Sequence, residues 1–293
     1  MHALPDDVRP ELALLEAALS GIALGGTGNE RGSFALAYSG GMDSRFLAHA
    51  ARLLGFEPHL LMAAGPQVPP EEEEYGESWA LRNGLSFRKI EVDTLSLPLV
   101  AVNGKRRCYE CKREIFSRLR EAVPLPLCDG TNASDALAYR PGTQAVRELG
   151  VHSPLALAGL AKSDIYRLAA LTGLERPDQK PRPCLLTRLP YGMRTDAETL
   201  HAIASGERAV RLALEAAGLP EADFRLRIVP SGEGMRTELH LLKDEDCRVP
   251  PELKARLPGI IGEAAPRLPS PAHISSQDSL SGFFDKVQLT DTI

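Results

Sequence analysis

The chain has 293 residues, 34 Lys and Arg against 39 Asp and Glu, and a formal net charge of −5, which weighs against a broad non-specific nucleic-acid binder. Hydrophobic residues at 43% and charged residues at 25% exclude a chain disordered throughout, and no apolar run approaches the roughly 18 residues a membrane helix needs. Five cysteines are too few and odd in number for a disulfide framework, which points to a cytoplasmic chain with reactive or metal-binding thiols. The first residues carry acids and no basic run, so they do not read as a signal peptide. Residues 8–23 predict an amphipathic helix from Leu and Ala at helical spacing. Ser33–Tyr38 predicts a buried strand, Ser44–Leu54 a helix and Glu57–Ala64 a second strand. The Pro-led acidic stretch 69–84 predicts a helix and Phe87–Val92 a third strand. A basic loop runs into a helix over 104–123, Leu125–Cys128 is a short strand, and 162–173 is another helix. This rhythm implies an α/β fold with a doubly wound parallel sheet and ligand sites at the strand C-terminal ends. A Pro-rich connector over 180–192 precedes a long helix at 195–218 and two strands, FRLRIVP and RTELHLL, joined by SGEG as a predicted hairpin. The change of pattern sets an expected boundary near residue 192: an α/β domain over 1–192, a small C-terminal α+β domain over 193–263, and a Pro- and Ser-rich tail over 264–293 expected to be partly disordered.

Ser39-Gly40-Gly41-Met42-Asp43-Ser44 follows the first strand directly. Two glycines let backbone amides approach an anion, Ser39 and Ser44 add hydroxyls, and the next helix points its positive end at phosphates. Asp43 is an acid, suited to holding Mg²⁺ or orienting the loop. There is no GK[ST], so this is not a Walker A loop. The hexapeptide resembles the PP-loop of ATP pyrophosphatases, which implies ATP as ligand, cleavage between the α and β phosphates and transfer of AMP to an oxygen. An ordinary Gly turn capped by Asp is the plainer alternative. Cys108-x-x-Cys111 alone suits a zinc half-site, a redox pair or chance. Lys105, Arg106 and Arg107 precede it and favour thiolate at Cys108, and with Cys184 three thiolates would suit an iron–sulfur cluster with one open iron. Cys128 reads as a packed core thiol and Cys247, among acids, as inert. Asp129-Gly130-Thr131-Asn132 follows a strand, as a ligand loop or an Asx turn. Lys112 and Arg188 are cations for polyphosphate or substrate, or solvated surface. Arg225 and Arg227 alternate on one strand face, as a phosphate clamp or a solvent-facing edge. Glu71–Glu74 reads as a solvated helix start favoured by the dipole, and Trp79 as packing.

The blocks SGGMDS, RCYECKREIF, DGTNASDALAYRPG, HSPLALAGLAKSDIYRLA, KPRPCLLTRLPYG and the RLR after Phe224 occur in that order. The series resembles the LarE family of ATP-dependent sulfur transferases over roughly residues 15–245. The resemblance implies a PP-loop, adenine nucleotide alpha-hydrolase-like fold that uses ATP and Mg²⁺. It implies adenylation of a carboxylate of a pyridinium dicarboxylate mononucleotide, then conversion to a thiocarboxylate, in nickel-pincer nucleotide cofactor biosynthesis. Some members sacrifice the sulfur of one cysteine and leave dehydroalanine; others hold a 4Fe-4S cluster on three cysteines. Here Cys184 occupies the donor block PCLLTR, and Cys108, Cys111 and Cys184 match the three-cysteine pattern. By the same resemblance Asp43, Lys112 and Arg188 join Cys184 as catalytic residues. Ser39, Gly40, Gly41, Asp43, Ser44, Asp129, Thr131, Arg225 and Arg227 bind nucleotide or substrate, with Asp135 and Arg140 in register. Thr187 stands where many members have Ser, which keeps the hydroxyl, and the SGEGMRTELHLL hairpin departs from the common continuation. The implied partners are a small nucleotide substrate bearing carboxylates, a sulfur-donor protein and further copies in a homo-oligomer, with no membrane and no nucleic acid. Competing readings are a PP-loop tRNA thiolase, an amide-forming synthetase and a nucleotide sensor without turnover.

Overall fold

The computed structural model describes residues 6–24, 32–136, 141–180, 182–232, 234–269 and 271–290. The chain forms two compact units, one of residues 1–97 and 106–182, the other of residues 98–105 and 183–293. The expected boundary at 192 therefore falls inside the second unit, because the Pro-rich connector from Pro183 and the short excursion 98–105 pack together. Asn103, buried, donates from Nδ2 to the carbonyls of Leu189 and Pro190 at 2.9 Å each, and Thr195 N donates to Ala101 O at 2.9 Å.

In the first unit α1 (Arg9–Ser20) precedes β1 (Ser33–Ala37), α2 (Met42–Leu53), β2 (Glu57–Ala64), α3 (Pro70–Arg82) and β3 (Ser86–Glu91). Then come α4 (Arg107–Ala122), β4 (Leu127–Cys128), α5 (Pro141–Glu148) and α6 (Lys162–Leu171). The strands form one parallel sheet in the order β3-β2-β1-β4. Strand alternation sends side chains to opposite faces. Phe34 and Leu36 of β1 with Leu60 and Met62 of β2 join a core with α1, α2, α3 and α6, while Ala35 and Leu61 join a second core with Phe116, Leu119 and Val146 of α4 and α5. Helices thus cover both faces, and the sheet is doubly wound. Trp79 is fully buried and stacks on Tyr38 at 6.1 Å, as packing.

In the second unit α7 (Ala197–Ala216) starts at Asp196, whose carboxylate caps Thr199 N at 2.7 Å. β5 (Phe224–Ser231) and β6 (Gly234–Leu242) form the antiparallel hairpin, α8 (Pro251–Ala264) follows, and β7 (His273–Gln277) adds to β6 in parallel. The chain ends its described part in α9 (Phe283–Thr290). Within the stretch 264–293, expected to be partly disordered, the described residues include a sheet strand and a helix. HISSQ has little strand character of its own and is held by five register pairs to β6. Phe224, Leu226 and Ile228 face a core with α7 and α8, in which a Cβ at Gly206 would lie 2.6 Å from Leu226 Cδ2. The opposite sheet face is polar, carrying Arg225, Arg227, Glu238 and His240, all buried.

Candidate functional site

The 39–44 loop leaves β1 where the sheet order reverses. β2 and β3 lie on one side of β1 and β4 on the other, so the loops after β1 and β4 flank a topological switch point. Tyr38 N donates to Leu61 O at 2.9 Å, and the Tyr38 phenol donates to Gly76 O at 3.0 Å. Gly40 has φ +75°, and a Cβ there would lie 2.9 Å from Gly76 Cα, so loop and α3 meet glycine against glycine. Gly41 precedes α2 in extended conformation with no side-chain cap, which leaves the helix N-terminus as an anion-binding end. Gly41 N donates to Ser39 Oγ at 3.3 Å, and Ser44 Oγ donates to Gly41 O at 3.0 Å.

Both Asp43 oxygens accept from Lys162 Nζ at 2.7 Å. Lys162 opens α6 and is set in place by Ser134 Oγ, which accepts from its backbone N–H at 3.1 Å, and by the Ala133 N to Leu160 O bond at 2.8 Å. A Cβ on Gly130 would lie 3.0 Å from Ser44 N and 3.3 Å from Asp43 Cβ, so the loop after β4 rests against the start of α2. Asp129, buried, accepts from Thr131 N at 3.1 Å, Thr131 Oγ1 at 2.6 Å and Ser153 Oγ at 2.7 Å. Thr131 thus shapes its own loop by binding Asp129. Asn132 and Asp135 bond reciprocally at 2.8 and 3.1 Å, as in an Asx turn. Arg140 lies outside the described residues. A Mg²⁺ ion takes one or two carboxylates and completes its shell from substrate phosphates. Asp43, on the first turn of α2 and paired with Lys162, and Asp129, on the adjoining loop after β4 and bonded to Thr131 and Ser153, are carboxylates of that kind.

Glu72 corrects the reading of a solvated acidic helix start. Its side chain is mostly buried; Oε2 accepts from Gln179 Nε2 at 3.1 Å and Oε1 pairs with Arg182 at 3.5 Å. Burial pushes its pKa up, against Arg182, Arg176 and Arg45. Helix-start acids are ordinarily solvated, but here a segment more than 100 residues further on covers this one. Lys112 lies where a Cβ on Gly142 would come 2.7 Å from its Cδ, with its ammonium 5.9 Å from the Phe116 ring. Sequence spacing does not find Lys162, Arg45, Gln179, Glu207 or His240. Lys162 alone carried a signal, standing inside the AKSDIYRLA block.

Cys108 is exposed and Cys111 half-buried on the first turns of α4, in the first unit; Cys184 is half-buried in the second. None is in a disulfide. Arg106 stacks on Tyr109 at 5.1 Å and Arg107 is buried, so the basic run does not simply ring Cys108. Cys128 is buried in the core and its thiol pKa is pushed far up by burial and Asp129, which keeps it inert. Cys247 is exposed on a short helix. Among the described residues no three His, Cys, Asp or Glu side chains are gathered as a metal site. The donor chemistry of Cys108, Cys111 and Cys184 still suits iron, since soft thiolates are its cluster ligands.

Cys184 precedes the tight turn Leu185–Arg188. Its carbonyl accepts from Thr187 N at 3.0 Å and Thr187 Oγ1 at 2.7 Å, so the Thr187 hydroxyl is used. Arg188, buried, grips Glu207 with Nε and Nη2 at 2.8 and 3.1 Å and gives Nη1 to Pro183 O at 3.0 Å. It is neither a surface cation nor idle, and it braces the turn that carries Cys184. Burial opposes ionisation of Glu207, yet Arg188, the Leu226 N–H and Arg225 hold its pKa below the usual range.

Arg225 and Arg227 are not a solvent-facing edge: both are buried. Arg225 donates to Asp223 at 3.1 Å and to Phe224 O at 2.6 Å. Arg227 gives Nη1 to His240 Nδ1 at 2.6 Å and Nη2 to Leu280 O, and its guanidinium lies 4.8 Å over the Phe283 ring. Since Arg227 must donate to Nδ1, the His240 proton sits on Nε2, which donates to Glu238 at 2.7 Å. Burial, then Arg227, lowers the His240 pKa to about 4. Burial, then Arg188 and Arg225, lowers Arg227 to about 10.

No family model matches the chain. An uncharacterised protein of Synechocystis is 34% identical over 184 residues, covering 60% of this chain and 68% of that one. The pyridinium-3,5-bisthiocarboxylic acid mononucleotide synthase of Lactiplantibacillus plantarum is 28% identical over 182 residues, covering 60% and 66%. The chain belongs to one family with the Synechocystis protein, and the synthase to which it is similar is a LarE enzyme. An uncharacterised Methanocaldococcus jannaschii protein is 29% identical over 183 residues, 60% and 68% of the two chains. A solved U34-tRNA thiolase from Methanococcus maripaludis with its [4Fe-4S] cluster aligns at TM-score 0.45 and 15% identity, over 60% of this chain and 66% of that one. In this chain the loop, the Asp129 turn and Lys162 lie together in the first unit, and Cys184 stands on a braced turn in the second.

Proposed function

We propose that this protein is an ATP-dependent sulfur transferase that adenylates a carboxylate of an anionic nucleotide and replaces its oxygen with sulfur. The observation that carries the reading is the phosphate loop at the switch point with the Asp43–Lys162 pair beside its helix N-terminus. ATP places its β and γ phosphates on the loop amides, and the substrate carboxylate attacks the α phosphate to release pyrophosphate. Positioning and charge neutralisation supply the rate enhancement. Lys162 and the α2 N-terminus offset the negative charge of the polyphosphate, and Asp43, with Asp129, would hold Mg²⁺. Adenylation is needed because a carboxylate oxygen is a poor leaving group. Sulfur then attacks the acyl-adenylate and AMP leaves. Cys184 is the assigned sulfur-handling residue, and Cys108 and Cys111 complete the ligand set that would hold an iron–sulfur cluster. Such a cluster would supply an iron site for exogenous sulfide.

The test incubates purified full-length protein with ATP, Mg²⁺ and the pyridinium dicarboxylate mononucleotide. Pyrophosphate release that depends on that substrate, with a thiocarboxylate product, is the expected result. Pyrophosphate release that instead requires tRNA would replace this reading with a tRNA thiolase, and ATP binding without turnover would leave a nucleotide sensor.

A further inference from the structure

Arg45 immediately follows the loop hexapeptide and is completely buried. A guanidinium has five N–H donors in a fixed plane. Here Nε donates to Gly40 O at 3.1 Å. Nη1 donates to Tyr75 Oη at 3.1 Å and Glu175 O at 2.6 Å. Nη2 donates to Arg176 O at 3.1 Å and to Gln179 Oε1. All five donors are used, on three backbone carbonyls, a phenol and an amide, and none on a carboxylate. The cation also lies 5.1 Å from the Tyr75 ring and 5.7 Å from that of Trp79. A buried charge without a directly bonded counter-charge is costly, and a neutral side chain would fill the same space at lower cost.

The bond to Gly40 gives that cost a use. Gly40 sits at φ +75°, where an added Cβ would meet Gly76 Cα at 2.9 Å and Glu72 O at 3.0 Å, so only glycine fits at this point of the loop. In a trans peptide the N–H points opposite to the C=O. Drawing the Gly40 carbonyl down to Arg45 therefore turns the Gly41 N–H the other way, where it donates to Ser39 Oγ at 3.3 Å on the side of the loop hydroxyls. The remaining four donors tie the guanidinium to Tyr75 on α3 and to the 175–179 turn, whose Arg176 is itself held at φ +51°. The loop is thereby fastened from beneath to two other segments of the same unit. A positive charge in that position also favours polyphosphate in the low-dielectric interior.

We propose that Arg45 is the positioning residue of the phosphate loop, fixing the Gly40–Gly41 peptide so that its N–H lies on the Ser39 hydroxyl side, where the β and γ phosphates bind, before ATP arrives. This rests on the reading of the loop as an ATP site. A residue that only held the fold together would affect every nucleotide alike, whereas one that aims the loop amide affects only ligands bearing the terminal phosphates.

The experiment measures dissociation constants of ATP, inorganic pyrophosphate and AMP for the full chain by calorimetry. Arg45→Lys keeps the charge but cannot reach Gly40 and the 175–179 turn together. It should weaken ATP and pyrophosphate by about tenfold or more, the loss expected for a charge-assisted hydrogen bond, with AMP unchanged. Gln179→Ala removes a far-side acceptor and leaves the loop untouched. It should shift the ATP-to-AMP affinity ratio the same way by a smaller factor, and it decides the matter if Arg45→Lys does not fold. Unchanged ATP affinity in Arg45→Lys, equal losses for ATP and AMP, or an unchanged ratio in Gln179→Ala would overturn the proposal. Wild-type protein that binds neither ATP nor pyrophosphate would overturn the ATP reading itself, a distinct result.

Discussion

Asp43 and Lys162 are 119 residues apart in the chain and share two 2.7 Å contacts, with each side chain about a third exposed. An exposed pair of this kind adds little to stability, so its placement beside the helix N-terminus is the more informative fact. Lys162→Met should leave the melting temperature nearly unchanged and cut pyrophosphate release at least about 100-fold, as for a lost transition-state charge contact. Asp43→Ala should abolish release in a folded protein. Normal release in either variant would remove that residue from the mechanism. His240 makes a prediction of a different kind. It is buried and neutral with a pKa lowered to about 4, against about 6.5 for an unfolded histidine. Between these values the unfolded chain binds the proton and the folded one does not, so stability rises with pH across this window and falls on acidification. The change is about 3 kcal/mol from this group. Denaturant titrations at pH 7, 5.5 and 4.5 should show the loss, and His240→Gln should flatten the slope. Glu238, whose pKa is held down mainly by His240 and Arg236 against burial, adds a further loss below the normal carboxylate range.

At the scale of elements, what could be read in advance followed local periodicity. β2 spans Glu57–Ala64 as its apolar run predicts, and the hexapeptide runs from the end of β1 into the first turn of α2 as a strand–loop–helix pattern requires. What could not be read is held by distant partners. β7 is held as a strand by its pairing with β6, since HISSQ has little strand propensity beyond Ile274. Glu72 is buried because Gln179 and Arg182 return to it, and Arg225 and Arg227 are buried because the polar sheet face is occupied rather than solvated. The contact of the phosphate loop with α3 is a tertiary fact that two isolated glycines do not announce. It predicts that Gly76→Ala is disproportionately harmful. The new Cβ would lie 2.9 Å from Gly40 Cα and 2.7 Å from Met62 Cε, and only the methionine end can move. A stability loss of about 1–3 kcal/mol in urea denaturation is expected, together with weaker ATP binding as Gly40 is displaced. A mutant as stable and as tight-binding as wild type would show that the loop does not depend on this approach.

For the whole molecule, the cysteine set is where sequence pattern and structure must be tested together. Cys108 and Cys111 lie in the first unit and Cys184 in the second, so any experiment requires the intact chain. Cys128 is withdrawn from chemistry by burial in the sheet, and Cys247 sits on an exposed helical turn remote in sequence from the others. The remaining three are not disulfide-bonded and none is fully buried, as thiols that serve iron or sulfur transfer need to be. Cys184 carries the strongest local case, since Thr187 and Arg188 hold the turn on which it stands. Three thiolates brought together repel unless a cation compensates them, which favours iron over three free thiolates at one site. Anaerobic reconstitution with iron and sulfide should therefore give a brown protein with about four irons per chain. Cys108→Ser, Cys111→Ser and Cys184→Ser should each lose the colour, while Cys128→Ser and Cys247→Ser keep it. Protein that stays colourless after reconstitution, but loses the mass of hydrogen sulfide at Cys184 during a single turnover with ATP, would assign Cys184 as a sacrificial donor and leave Cys108 and Cys111 outside the chemistry.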